Sequence, residues 1–182
     1  MNRGYGFVNF AGHGSITGWS FGTGGFFSDA EASSLINGYN DSFVIAAACT
    51  TSRFDVYDSI GEKFLLNPNG GAIVYIGATR IAWGYVGVYT LHGLCFQLDW
   101  LFIDSYFSLM EEGSTPYAGS IWAMGLSQYL TLHPDLSIAD WKTVAEYGTM
   151  FGDPTVILRG EGSAPQPPTP PTLYGYVKDS AT

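Results

Sequence analysis

Apolar runs of two kinds alternate along the chain. Tyr5-Gly6-Phe7-Val8-Asn9-Phe10-Ala11 is short, aromatic and β-branched, and leads at once into Gly12-His13-Gly14-Ser15, the pattern of a strand ending in a glycine-rich turn. Phe43 to Ala48 is apolar without alternation, as expected of a strand buried on both faces of a mainly parallel sheet, and it ends at Cys49. Gly71 to Gly77 is a third such run, placed after the breaker Asn67-Pro68-Asn69-Gly70. Between the second and third runs Val56, Ile60 and Phe64 recur at four-residue spacing, so this stretch reads as strand, helix, strand.

Downstream the period lengthens. Leu91, Leu94, Cys95, Leu98, Leu101 and Phe102 mark one face of a long helix that should stop near Gly113. Thr115-Pro116 has the form of an N-cap followed by proline in the first turn, predicting a second helix to about Leu132. A third helix is expected over Ile138 to Tyr147 behind Ser137, and Thr155 to Arg159 has the composition of a closing strand. Past Gly160 the character changes: residues 161–172 hold five of the nine prolines, predicting an extended linker, because proline fixes φ and removes backbone donors. Residues 173–182 alternate again and resemble the first strand of a β-sandwich-like module, which divides the chain into a domain over 1–160, a linker and the start of a further domain.

Composition narrows the function classes. Seven Lys and Arg against 16 Asp and Glu give a net charge of -9, and the seven cations are scattered, which disfavours a nucleic-acid partner. Tyr89 to Met110 is long and apolar enough to span a membrane, but His92, Gln97, Asp99 and Asp104 within it argue against a span. The first residues carry no charged and apolar segments of a signal peptide, so the chain reads as starting inside a domain. Two cysteines, Cys49 and Cys95, build no disulfide framework, and each needs its own reason as a thiol.

Candidate chemistry sits at strand ends. His13 and Cys49 each follow a predicted strand, and in a parallel sheet the carboxyl ends line the crevice where ligands bind. A thiol and an imidazole on that rim form a nucleophile and its base. Gly14 adds an unshielded N–H which, with that of Cys49, suits an oxyanion hole, an element worth ~3 kcal/mol per donor. The alternative for Cys49 is a small buried hydrophobe, and for Cys95, on the apolar stripe of a helix, core packing is the reading. His92 and His133 lack partners at metal-ligand spacing and read as structural or solvated; no metal and no cofactor is expected. Gly12-His13-Gly14-Ser15 with Gly22-Thr23-Gly24-Gly25 admits a phosphate-cradling loop, but the Gly-Lys-Ser/Thr ending is missing and aromatic residues stand where a helix should begin.

Four segments in order carry a family resemblance: Asn9-Phe10-Ala11-Gly12-His13-Gly14-Ser15 with Trp19, Ala46-Ala47-Ala48-Cys49, Gly77-Ala78-Thr79-Arg80-Ile81-Ala82-Trp83, and Phe151-Gly152-Asp153-Pro154-Thr155. They resemble the motifs of gingipain-type cysteine peptidases, the C25 family of the caspase-like clan. The resemblance implies an α/β class fold, a three-layer α/β/α caspase-like sandwich with a mainly parallel sheet, incomplete at its N-terminus. It implies an endopeptidase in which a dyad, matched by His13 and Cys49, cleaves peptide bonds through a thioester acyl-enzyme, with Gly14 and Cys49 amides as the oxyanion hole. Trp83 matches a tryptophan that lines the primary specificity pocket, with a plain core aromatic as the alternative, and Trp19 fits pocket wall and core filler equally.

Departures limit what carries over. The lysine-selective type has an acid three positions after that tryptophan where Val86 stands here, and the carboxylates that select arginine or orient the histidine would precede Met1. A preference for basic residues is therefore not inherited. The expected partners are a polypeptide substrate and further domains of the same chain, and the linker and acidic balance fit a secreted or surface protein. The competing reading is a catalytically silent scaffold or interaction module of such a protein.

Overall fold

A computed structural model describes residues 1–158 of the chain. In chain order its elements are β1 (Phe7–Ala11), β2 (His13–Ser15), β3 (Gly18–Ser20), β4 (Phe26–Ser28), α1 (Asp29–Ser33), β5 (Ser42–Ala47), α2 (Ile60–Leu66), β6 (Ala72–Gly77), α3 (Leu94–Glu111), α4 (Ala118–Leu132), α5 (Ile138–Glu146) and β7 (Met150–Gly152). The expected linker and trailing β module lie outside the described residues.

Four strands in the order β1-β5-β6-β7 form the central sheet. β1 and β6 run parallel to β5, with Ala11 opposite Ala47 and Ile76 opposite Ile45, and β7 closes the far edge antiparallel to β6. All six residues of β5 are buried, which is why its sequence shows no alternation. Its odd-numbered side chains, Phe43 and Ile45, join Val74 and Ile76 under a layer containing Cys95, Leu98, Phe102, Ile121 and Tyr147. Val44 and Ala46 face the other way, toward Trp19, Ile60, Phe64 and Tyr75. Helices thus cover both faces, and the three-layer, mainly parallel α/β sandwich is the observed fold.

Helix starts follow local chemistry where a side chain is available. Ser28 with Glu31, Ser59 with Glu62 and Ser137 with Asp140 form capping boxes at α1, α2 and α5. The start of α4 departs from the sequence reading: Tyr117, not Thr115, is the N-cap. Its first amides, Ala118 and Gly119, donate to the Val156 and Pro154 carbonyls at 2.8 and 2.9 Å, so a tertiary partner supplies what a capping side chain would. α3 ends as expected, with Gly113 at φ +70°.

Three further differences have clear causes. The closing strand is β7 rather than Thr155 to Arg159, because the Asp153 carboxylate accepts from the Thr155 amide at 2.8 Å and turns the chain; beyond it only Ile157 bridges, to Tyr117. The predicted glycine turn at His13 is strand β2, paired antiparallel to β3 and through it to β4, a ribbon that the short aromatic stretch did not announce. That ribbon, with a single 3-10 turn at Gly22–Gly24, leaves no helix N-terminus after the glycines and removes the phosphate-loop reading. Val56 and Leu91 lie outside helices and are exposed. Among the described residues no helix is long and apolar enough to cross a membrane.

Candidate active site

Because β1, β5 and β6 are parallel, their carboxyl ends share one rim, and the chain leaves them at Gly12, Ala48 and Ala78. The Gly12 amide extends the ladder by one step, donating to the Ala47 carbonyl at 3.1 Å. Two residues on, a Cβ placed on Gly14 would stand 2.8 Å from the Ala48 Cβ, the Cys49 carbonyl oxygen and the Thr51 Cγ2. Only glycine permits that approach. His13 is therefore held between two residues that are both anchored on the end of β5, and its exposed imidazole lies on the same rim as Cys49.

Cys49 is half-buried at the start of a sharp turn. Thr50 has φ +57°, a left-handed conformation uncommon for a β-branched residue and held only where surroundings over-determine it. They do so here: the Thr50 and Ser52 amides donate to the Arg80 and Ala78 carbonyls at 2.7 and 3.0 Å, and the Thr51 carbonyl accepts from the Gly61 amide at 3.0 Å. Asp55 joins the same two loops from outside, accepting from Arg53 at 3.0 Å and from Arg80 at 2.9 Å. The Arg53 hydrogen bond and the Arg80 charge hold its carboxyl below the ordinary carboxylate range. The Thr51 and Ser52 hydroxyls are buried with no hydrogen-bond partner among the described residues, close against the backbone of Gly77.

The Cys49 thiol donates to the Ala82 carbonyl at 3.6 Å, and no hydrogen bond joins it to His13 among the described residues. The Cys49 amide likewise makes no hydrogen bond there, leaving a donor at the rim. The next carbonyl along, Trp83, accepts from the Cys95 amide at 2.9 Å. Consecutive peptides of the loop after β6 are thus fastened to the two cysteines, one through a thiol and one through a main-chain amide. The arrangement offers a thiol, an imidazole and an uncommitted amide along one edge, the parts needed for acyl transfer.

The remaining candidate residues separate by burial. Trp83 is half exposed beside this rim. Trp19 is 3% exposed, stacks on Phe10 at 4.9 Å and donates its indole N–H to the Tyr75 hydroxyl at 3.1 Å, so of its two readings the core one is what is observed. Cys95 is buried in the α3 face as expected, and burial, with Asp99 nearby, pushes its thiol up to about 12. His133 packs its ring on Tyr129 at 4.5 Å. His92 instead lines, with Tyr85, Val86 and Tyr89, a cavity of about 490 Å³ in the loop after Trp83. That cavity, the Ala82 carbonyl and the Asp55 clamp were not found from sequence. The uncharged run from Ile81 to His92 was the available signal.

The family model for peptidase family C25 matches residues 1–159. No curated protein matches the chain. Among solved structures, the Arg-specific cysteine proteinase gingipain R (RgpB) superimposes with a TM-score of 0.68 at 18% identity, over 87% of this chain and 34% of that one. A complex of the pro- and mature domains of Porphyromonas gingivalis RgpB gives 0.64 at 18% identity, over 87% and 35%. A structure described as a protease gives 0.62 at 19% identity, over 86% and 36%. The chain spans about a third of each of these structures, and its fold is the caspase-like fold of the gingipains. By the extent of the family match, this chain belongs to peptidase family C25.

Proposed function

We propose that the chain carries the catalytic dyad of a cysteine endopeptidase, with Cys49 as nucleophile and His13 as general base and acid. The observation that supports this best is the approach of Gly14 to the Cys49 carbonyl, which sets the His13 strand against the thiol-bearing turn. In the reaction the Cys49 thiol turns from the Ala82 carbonyl and gives its proton to His13. The thiolate then adds to the substrate carbonyl carbon. The developing oxyanion is met by the Cys49 and Gly14 amides, a contribution of about 10²–10³ in rate per donor. Collapse breaks the C–N bond, the imidazolium protonates the departing amine, and a thioester remains. Water, deprotonated by His13, hydrolyses it and restores the thiol. Trp83, half exposed beside the rim, forms part of the wall for the substrate side chain.

The test is hydrolysis of peptide substrates and labelling by peptidyl acyloxymethyl ketones in the full-length protein. Cys49→Ala and His13→Ala should each abolish both, and cleavage by Cys49→Ala would overturn the mechanism. One observation favours a second reading, a catalytically silent surface module: the thiol is engaged with Ala82 rather than with His13. In that case the unmutated protein neither cleaves nor labels. The proline-rich segment and acidic balance support an exported protein with further domains.

A further inference from the structure

We propose that the 81–92 loop makes this site select a bulky apolar side chain, aromatic above all, next to the bond cleaved; this rests on the peptidase reading above. The loop leaves the rim through Ala82, whose carbonyl accepts from Cys49, and returns where Gly84 bridges Leu94. Tyr85 lies three residues from Ala82, so their Cα atoms are at most about 11 Å apart. The cavity it lines therefore opens within one or two residues' reach of the thiol along a bound peptide.

That cavity is built rather than incidental. The Tyr85 ring lies against Gly93, where a Cβ would stand 3.0 Å from its Cε2, and the His92 ring meets Tyr89 edge-on at 5.4 Å. The His92 amide donates to the Tyr89 carbonyl at 2.9 Å, and the Thr90 hydroxyl to that of Gly87 at 2.7 Å. At about 490 Å³ it falls within the roughly 300–1,000 Å³ of pockets that take small organic groups. Its walls include Val86, 82% exposed, and Tyr89, 62% exposed, apolar area whose burial by a substrate side chain is favourable.

Charge decides the class. From Ile81 to His92 the loop has no Asp, Glu, Lys or Arg, so a basic side chain entering it would be desolvated without a counter-ion. An acidic one finds no free guanidinium, because Arg53 and Arg80 are both engaged by Asp55. An aromatic or long aliphatic side chain meets neither penalty.

The experiment uses the full-length protein and three peptidyl acyloxymethyl ketones that differ only in the residue bearing the ketone: Phe, Lys or Asp. The Phe probe should label Cys49 at least about ten-fold faster than the others. Tyr89→Ala should lower the Phe rate about ten-fold, and Val86→Asp, at an exposed position that folding tolerates, should raise the Lys-to-Phe ratio. Labelling led by the Lys or Asp probe overturns this inference and leaves the peptidase reading intact. Unchanged Phe labelling in Tyr89→Ala overturns it too, marking the cavity as packing for another part of the polypeptide. No labelling by any probe overturns the peptidase reading and this inference together.

Discussion

Gly14 and Cys49 touch through their backbones: a β-carbon on the glycine would stand 2.8 Å from the cysteine carbonyl oxygen. The contact links the antiparallel β2–β4 ribbon to the end of β5, and it sets the distance from the His13 strand to the thiol-bearing turn.

Gly14→Ala should therefore act on both stability and chemistry. The methyl group must displace either β2 or the Cys49–Thr51 turn, and overpacking of this kind costs about 1–3 kcal/mol. The expected result is a lower midpoint in chemical denaturation, together with a fall in acyloxymethyl ketone labelling larger than the unfolded fraction accounts for. Labelling that falls only in step with the unfolded fraction would mean that the contact is purely structural.

The two thiols should differ in reactivity. Cys95 is 2% exposed with its thiol pushed up to about 12, whereas Cys49 is reachable from solvent. Brief treatment of the folded full-length protein with iodoacetamide at neutral pH should modify Cys49 and spare Cys95, as read by peptide mass mapping. Cys95→Ala should retain activity while losing stability by about 1–2 kcal/mol from the small cavity left in the α3 face.

Tyr129 holds the return of the specificity loop. Its buried hydroxyl accepts from the Leu94 amide at 2.9 Å and donates to the Asp140 carboxylate at 2.6 Å, tying the first residue of α3 to α5. Leu94 has φ +62°, so this amide belongs to a conformation that needs outside support. Tyr129→Phe leaves a buried N–H unpartnered and should cost about 1–3 kcal/mol. Hydrogen exchange should show faster opening of residues 84–94 than of β5, and equal acceleration everywhere would argue against a local role.

Asp99 should make stability fall with pH. It lies under the sheet, 7% exposed, and burial pushes its carboxyl up to about 7 against the opposing hydrogen bond from Asn9 at 2.6 Å. The unfolded carboxyl ionises near 3.8, so between about pH 4 and 7 the folded protein holds a proton that the unfolded chain has released. Stability from this group is full below pH 4 and declines until pH passes about 7, by on the order of 4 kcal/mol. Asp99→Asn should flatten that decline and raise the Tm above pH 7. A thermal-melt series from pH 4.5 to 8 with parallel curves for the two proteins would refute this account.

The fold and the candidate site were legible to different depths. β5 and β6 could be read because strands covered on both faces are apolar without interruption, and a run such as Phe43 to Ala48 has no other comfortable place. Cys49 and His13 could be read as rim residues because parallel strands place their carboxyl ends together, whatever surrounds them. The β2–β4 ribbon could not: strands of three residues carry too few positions to show a period, and the aromatic side chains of Trp19 and Phe27 are apolar for packing on Phe64 rather than for alternation.

The sequence by itself determined the α/β class, the two buried central strands, the three capping boxes' helices in part, and the order of the reactive residues. Tertiary structure alone decided which tryptophan is core and which faces solvent, since Trp19 and Trp83 have the same side chain and differ only in what folds over them. It also decided where α4 begins and what the thiol touches. Those features depend on carbonyl groups of Val156, Pro154 and Ala82, and a main-chain carbonyl is the same at every residue, so no pattern of side chains along the chain announces which one will arrive.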